Sequence, residues 1–120
     1  MDTKVAARTV LLVEGEEEAR QFASLVLRSA GFSVLEAADA LEAALVLETH
    51  RGSIALLLSG LELPGVNGLE LARGLTAARP GLRVLLTSSQ DKGVAGGAPF
   101  LPKPFTPSAL LGKVDEALGA

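Results

Sequence analysis

Short apolar runs alternate along the chain with longer segments of helical period, the pattern of strands and helices laid down in turn. Thr9-Val10-Leu11-Leu12-Val13 predicts a first buried strand. From Glu16 to Ala30, the residues Ala19, Phe22, Ala23, Val26 and Ala30 fall on one helical face, and Gly31 stands where a C-cap glycine belongs. Phe32 to Leu35 predicts a second strand. Asp39 with Glu42 has capping-box spacing, and Leu41, Ala44, Leu45 and Glu48 carry a second helix to about Thr49. Ile54 to Leu58 is the most apolar run and the candidate central strand. Asn67 with Glu70 repeats the capping pattern and opens a third helix that should stop before Pro80-Gly81. Val84-Leu85-Leu86-Thr87 and Phe100-Leu101 supply two more strands. Thr106-Pro107 is an N-cap followed by proline at the first helical position, and the helix it opens buries Leu110, Leu111, Val114 and Leu118.

One interval breaks the rhythm. Between Thr87 and Phe100, where another helix is due, three glycines and a closing proline make a stable helix improbable, because each Gly costs about 1 kcal/mol relative to Ala. A loop with at most a single turn is expected there. The layout as a whole predicts an α/β domain spanning residues 1–120, with a doubly wound parallel sheet covered on both faces.

Composition narrows the function classes. A net charge of −3 and a pI near 5.1 give no basic field for nucleic acid or an anionic membrane, and four Phe without Trp or Tyr make base stacking improbable. Zero cysteines exclude a disulfide framework, a thiolate metal site and a Cys nucleophile. With no long apolar span and no signal-peptide core after Met1-Asp2-Thr3-Lys4, the chain is expected to be soluble and cytoplasmic.

Ligands of such sheets collect at the carboxyl ends of the strands. The residues there are Glu14-Gly15-Glu16, Ser59-Gly60, Thr87-Ser88 and Lys103-Pro104. Glu14, Glu16, Glu17 and Glu18 would repel a phosphate, and there is no glycine-rich phosphate cradle, so a nucleotide or flavin fold is excluded. Glu17 and Glu18 have a simpler role in offsetting the helix dipole on a solvated first turn. His50 has no second His, Cys or close acid to make a metal site and is read as structural. Lys103, taken alone, reads as a solvent-directed lysine in a proline-rich turn, with a carboxylate or phosphate partner at the strand end as the alternative.

Four segments together resemble the receiver domains of bacterial response regulators, the CheY-like family: Val10-Leu11-Leu12-Val13-Glu14 with Glu16, Leu61-Glu62-Leu63-Pro64-Gly65-Val66-Asn67-Gly68, Val84-Leu85-Leu86-Thr87-Ser88, and Lys103-Pro104-Phe105. The stretches around Arg79-Pro80-Gly81 and Pro99 to Pro107 look like receivers attached to hybrid sensor histidine kinases. The resemblance implies a flavodoxin-like five-stranded sheet of order 2-1-3-4-5. It also implies an aspartate after the third strand that accepts a phosphoryl group from a kinase histidine, with an acidic pair for Mg²⁺, a hydroxyl and a lysine around it.

Carried onto this sequence, the acceptor position falls on Gly60 and the acidic pair on Glu14 and Gly15, while Thr87 and Lys103 are retained and Phe100 stands at the switch aromatic. The chain is therefore expected to be a degenerate receiver, a pseudo-receiver, with Mg²⁺ binding lost and no metal, cofactor or catalytic residue. It would be a phosphorylation-independent interaction module of a two-component pathway, not an enzyme, with a histidine kinase or downstream effector as partner. Lys103 should turn toward Glu14 or Glu62. In the family, the helix before the fifth strand, that strand and the last helix form the dimerisation and output face, which the glycine-rich interval must remodel. Two alternatives are an orthodox phosphorelay receiver using a non-standard acceptor, and a small-anion sensor built around Glu14, Gly60, Thr87 and Lys103. Ser59 is a poor acceptor, because strand alternation directs it away from the pocket that Gly60 addresses.

Overall fold

The elements form in the expected order: β1 (Thr9–Val13), α1 (Glu17–Ser29), β2 (Ser33–Ala37), α2 (Ala40–Thr49), β3 (Leu56–Gly60), α3 (Gly68–Ala78), β4 (Arg83–Ser88), β5 (Phe100–Pro102) and α4 (Pro107–Ala117). The computed structural model describes residues 8–90 and 95–119; Met1 to Lys4 and the Asp91 to Val94 part of the glycine-rich interval lie outside the described residues. All four strand pairings are parallel and the sheet order is β2-β1-β3-β4-β5, a flavodoxin-like arrangement.

Period-2 alternation divides the core into two layers. Val10, Leu12, Leu56, Leu58, Leu85 and Leu101 face α1 and α4, meeting Ala23, Val26, Leu27, Leu110 and Val114. Leu11, Val13, Leu57 and Leu86 point the other way, against Ala43 of α2 and Leu71 and Ala72 of α3. Each fully buried Leu contributes about 1.5–3 kcal/mol. Such continuously apolar strands are what a sheet covered on both faces requires.

The helix ends follow their caps. Asn67 Oδ1 accepts from Glu70 N at 2.9 Å and the Glu70 carboxylate reaches back to Asn67 N, a complete capping box. Asp39 Oδ1 accepts from Glu42 N at 2.8 Å, but the returning Glu42 carboxylate takes the N–H of Ala38, one residue further out. Thr106 Oγ1 caps Ala109 N at 3.0 Å ahead of Pro107. Gly31 has φ of +98°, the left-handed conformation that ends α1 without a Cβ penalty.

Several expected faces and limits are corrected. Ala30 does not join the buried face of α1: the helix stops at Ser29 and Ala30 is exposed. The buried side of α2 is Ala43 with Ala40, Val46 and Leu47 beside it, whereas Leu41 and Leu45 are 72% and 54% exposed. Apolar residues occur almost all round this helix, so periodicity selects no unique face. The central strand lies two residues later than the most apolar run, at Leu56–Gly60, because the backbone ladder continues through small buried Ser59 and Gly60 while Ile54 is buried ahead of it. The second strand likewise runs on to Ala37. Among the described residues no helix lies between β4 and β5; Ala95 is buried and a single turn closes from Ala98 N to Ala95 O at 3.1 Å. Among the described residues no helix is long and apolar enough to cross a membrane.

Candidate functional site at the carboxyl edge of the sheet

The carboxyl ends of β1, β3 and β4 and the turn after β5 converge on one place. Glu14 follows β1 directly and is held there by three contacts: its N–H donates to Ala37 O at 3.0 Å, its carbonyl accepts from Arg20 Nη1 at 2.7 Å, and its carboxylate Oε2 accepts from Glu16 N at 3.1 Å. The residue is only 7% exposed. Its other oxygen, Oε1, accepts from Lys103 Nζ at 2.8 Å. Lys103 has thus turned to Glu14; Glu62 instead accepts from Ser88 Oγ at 2.7 Å, and Ser88 Oγ in turn accepts from Gln90 N at 2.9 Å. The Lys103–Pro104 peptide bond is cis.

Gly60 ends β3 in register with Thr87 of β4. A Cβ placed on Gly60 would point at the Glu14 carboxylate, 3.2 Å from Oε1. Glu14, Gly60, Thr87 and Lys103 therefore share one wall, and a cavity of about 540 Å³ opens beside them toward α1. Ser59 belongs to the opposite layer with Leu57; it is fully buried and its Oγ donates to Gly60 O at 2.8 Å. Gly15 sits under Pro64, with Cδ 3.4 Å from an added Cβ. Phe100 is not brought to the pocket: it packs, half-buried, with the layer of Leu86 and Leu57. Among the described residues no three His, Asp or Glu side chains gather as a metal-binding group.

Three contributors were not legible from spacing. Ser88 sits beside the expected Thr87, yet its orientation toward Glu62 depends on the loop after β3. Arg20 bonds a backbone carbonyl six residues away and also approaches Glu36 at 3.7 Å, a partner on β2 that no local pattern indicates. Gly68 starts α3 so close to β3 that a Cβ there would stand 2.1 Å from Gly60 O.

The model of the response regulator receiver domain matches residues 10–115. The chain belongs to this family. The receiver is 33% identical over 117 residues to the sensor kinase CckA of Brucella abortus, covering 92% of this chain and 12% of that protein. It is 31% identical over 124 residues to the DNA-binding response regulator MtrA of Mycobacterium tuberculosis, covering 98% of this chain and 53% of that one. The chain thus spans a small part of the former and about half of the latter. Among solved structures, the receiver domain of the hybrid histidine kinase CckA matches with a TM-score of 0.79 at 34% identity, covering 92% of this receiver and 98% of that chain. The chemotaxis response regulator CheY4 of Vibrio cholerae matches with 0.82 at 27% identity, covering 93% and 99%.

The ion pair gives a stability prediction. Lys103→Met leaves the shielded Glu14 carboxylate without its cation and is expected to lower unfolding free energy by about 2 kcal/mol. Adding Glu14→Gln should recover most of that loss, because the buried charge disappears with its partner. Urea unfolding of both single variants and the double variant checks this; additive losses would show that the pair contributes nothing jointly.

Proposed function

We propose that this receiver works without phosphoryl transfer, as a protein-interaction module of a two-component pathway whose acceptor position is Gly60. One observation carries the reading: the residue that ends the central strand and faces Glu14, Thr87 and Lys103 has no side chain, and the lysine is paired with Glu14 instead. A glycine offers no carboxylate to form an acyl phosphate. Ser59 is a poor substitute, being fully buried in the other layer with its hydroxyl donating to Gly60 O.

The donor set also fits Mg²⁺ poorly. The ion takes hard oxygen ligands, usually one or two carboxylates completed by waters and phosphate oxygens. At this edge Gly15 supplies no carboxylate, and both oxygens of Glu14 are engaged by Lys103 and Glu16 N. Likeness to a sensor kinase on one side and a DNA-binding regulator on the other supports a histidine kinase or a downstream effector as partner. The expected behaviour is that of a non-enzymatic binding domain.

Intact-mass measurement after incubation with acetyl phosphate and Mg²⁺ tests the reading. No stoichiometric phosphoryl adduct is expected. A single adduct, located by fragmentation, would overturn it and identify the acceptor.

A further inference from the structure

We propose that the cavity beside Glu14 and Thr87 binds a small organic cation, an amine carrying an apolar body. This goes beyond the receiver reading and does not depend on it. The volume of about 540 Å³ lies within the range of small-molecule sites, about 300–1,000 Å³. Leu12 and Leu58 of the sheet and Ala23 of α1 give the cavity an apolar floor, and Phe22 and Phe105 stand beside it with ring centroids 6.0 Å apart, tilted by 42°. An apolar body has a place to leave water there.

Charge selects the sign of the head group. The cavity lining carries three carboxylates, Glu14, Glu16 and Glu18, against one ammonium, Lys103. Lys103, the group that an anion would seek, is already 2.8 Å from Glu14. An incoming anion would have to break that pair while facing Glu16 and Glu18. A cation meets the reverse situation: Glu16 and Glu18 at the start of α1 attract it, and the aromatic rings of Phe22 and Phe105 in the lining favour an organic cation over a strongly hydrated inorganic one.

An amide-shift titration of the isotope-labelled protein with phenethylammonium tests the proposal, beside its neutral and anionic counterparts, phenethyl alcohol and hydrocinnamate. Saturable shifts at Glu14, Phe22, Thr87 and Phe105 are expected with the amine at millimolar concentration, and weaker or no shifts with the other two. Replacing Glu16→Gln and Glu18→Gln together, at exposed positions, should weaken amine binding about threefold or more. Ala19→Leu, which extends a side chain into the cavity from half-buried Ala19 on α1, should abolish it. Absence of saturation with the amine, equal or tighter binding of hydrocinnamate, or unchanged affinity in the double glutamine variant would each overturn the assignment. The acetyl phosphate experiment reads a different property, so either proposal can fail while the other stands.

Discussion

The Gly15→Asp/Gly60→Asp double variant is expected to take one phosphoryl group from acetyl phosphate in the presence of Mg²⁺, and the unaltered chain is expected to take none. The structure has room for both substitutions. An added Cβ at position 60 comes 3.2 Å from Glu14 Oε1, the end of a side chain that can give by a few tenths of an ångström, and at position 15 the nearest atom is Pro64 Cδ at 3.4 Å. Neither glycine has a left-handed φ, so an aspartate meets no backbone strain at either place. The carboxylate introduced at position 60 would stand beside Glu14 and within reach of Lys103, dividing the ammonium between two acids. With the second carboxylate from position 15, the edge would offer hard oxygen ligands where it now has one engaged glutamate. Metal affinity should rise by roughly a hundredfold or more, since two carboxylates are added and each charge a few ångströms away contributes a few kcal/mol at an intermediate dielectric. Calorimetric Mg²⁺ titration and intact mass read the two effects. A folded double variant with unchanged metal affinity would refute the assignment of these two positions.

Gly68→Val is expected to be the most damaging single substitution near the site. Its Cβ would lie 2.1 Å from Gly60 O, 2.9 Å from Gly60 C and 3.0 Å from Leu61 Cα, all backbone atoms that cannot swing aside. Gly68 N also donates to Leu61 O at 2.9 Å, so moving α3 away costs that bond as well. Overpacking against side chains costs about 1–3 kcal/mol, and against fixed backbone the loss should be at the top of that range or above it. A Tm lower by roughly 10 °C or more is expected by thermal unfolding. Gly74→Ala is the matched control on the same helix: the position is exposed, no atom of the described residues lies within 4 Å of its added Cβ, and stability should rise by about 1 kcal/mol. Equal stability of the Gly68 variant and the unaltered chain would show that α3 can shift freely over β3.

Much of this architecture is readable in the chain because several signals agree locally. The run Thr9–Val13, the Asn67/Glu70 capping box and the Thr106-Pro107 start each combine a pattern with a boundary marker, and each element forms where expected. Where apolar residues are abundant on every side, as in α2, burial is decided by tertiary packing and the face expected at Leu41 and Leu45 is exposed. At the site, strand alternation alone separates Gly60 from Ser59, and the two lie in different layers as period 2 requires. The choice of Glu14 over Glu62 by Lys103 was not readable. It depends on the loop after β3, which carries Glu62 to Ser88 across a separation of twenty-six residues.

The short last strand also limits how this molecule can associate. β5 has only three residues, and its final one is Pro102. Lys103 N donates inward to Ser88 O, so by alternation the backbone nitrogen of Pro102 points to the free side of the sheet, where it has no hydrogen to give. By the same alternation Phe100 N–H is the one donor that β5 turns outward, so a strand from another chain would find a short template with little to bond. Association along this border must therefore rely mainly on the side chains of β5 and α4, which makes the contact one of shape and sequence.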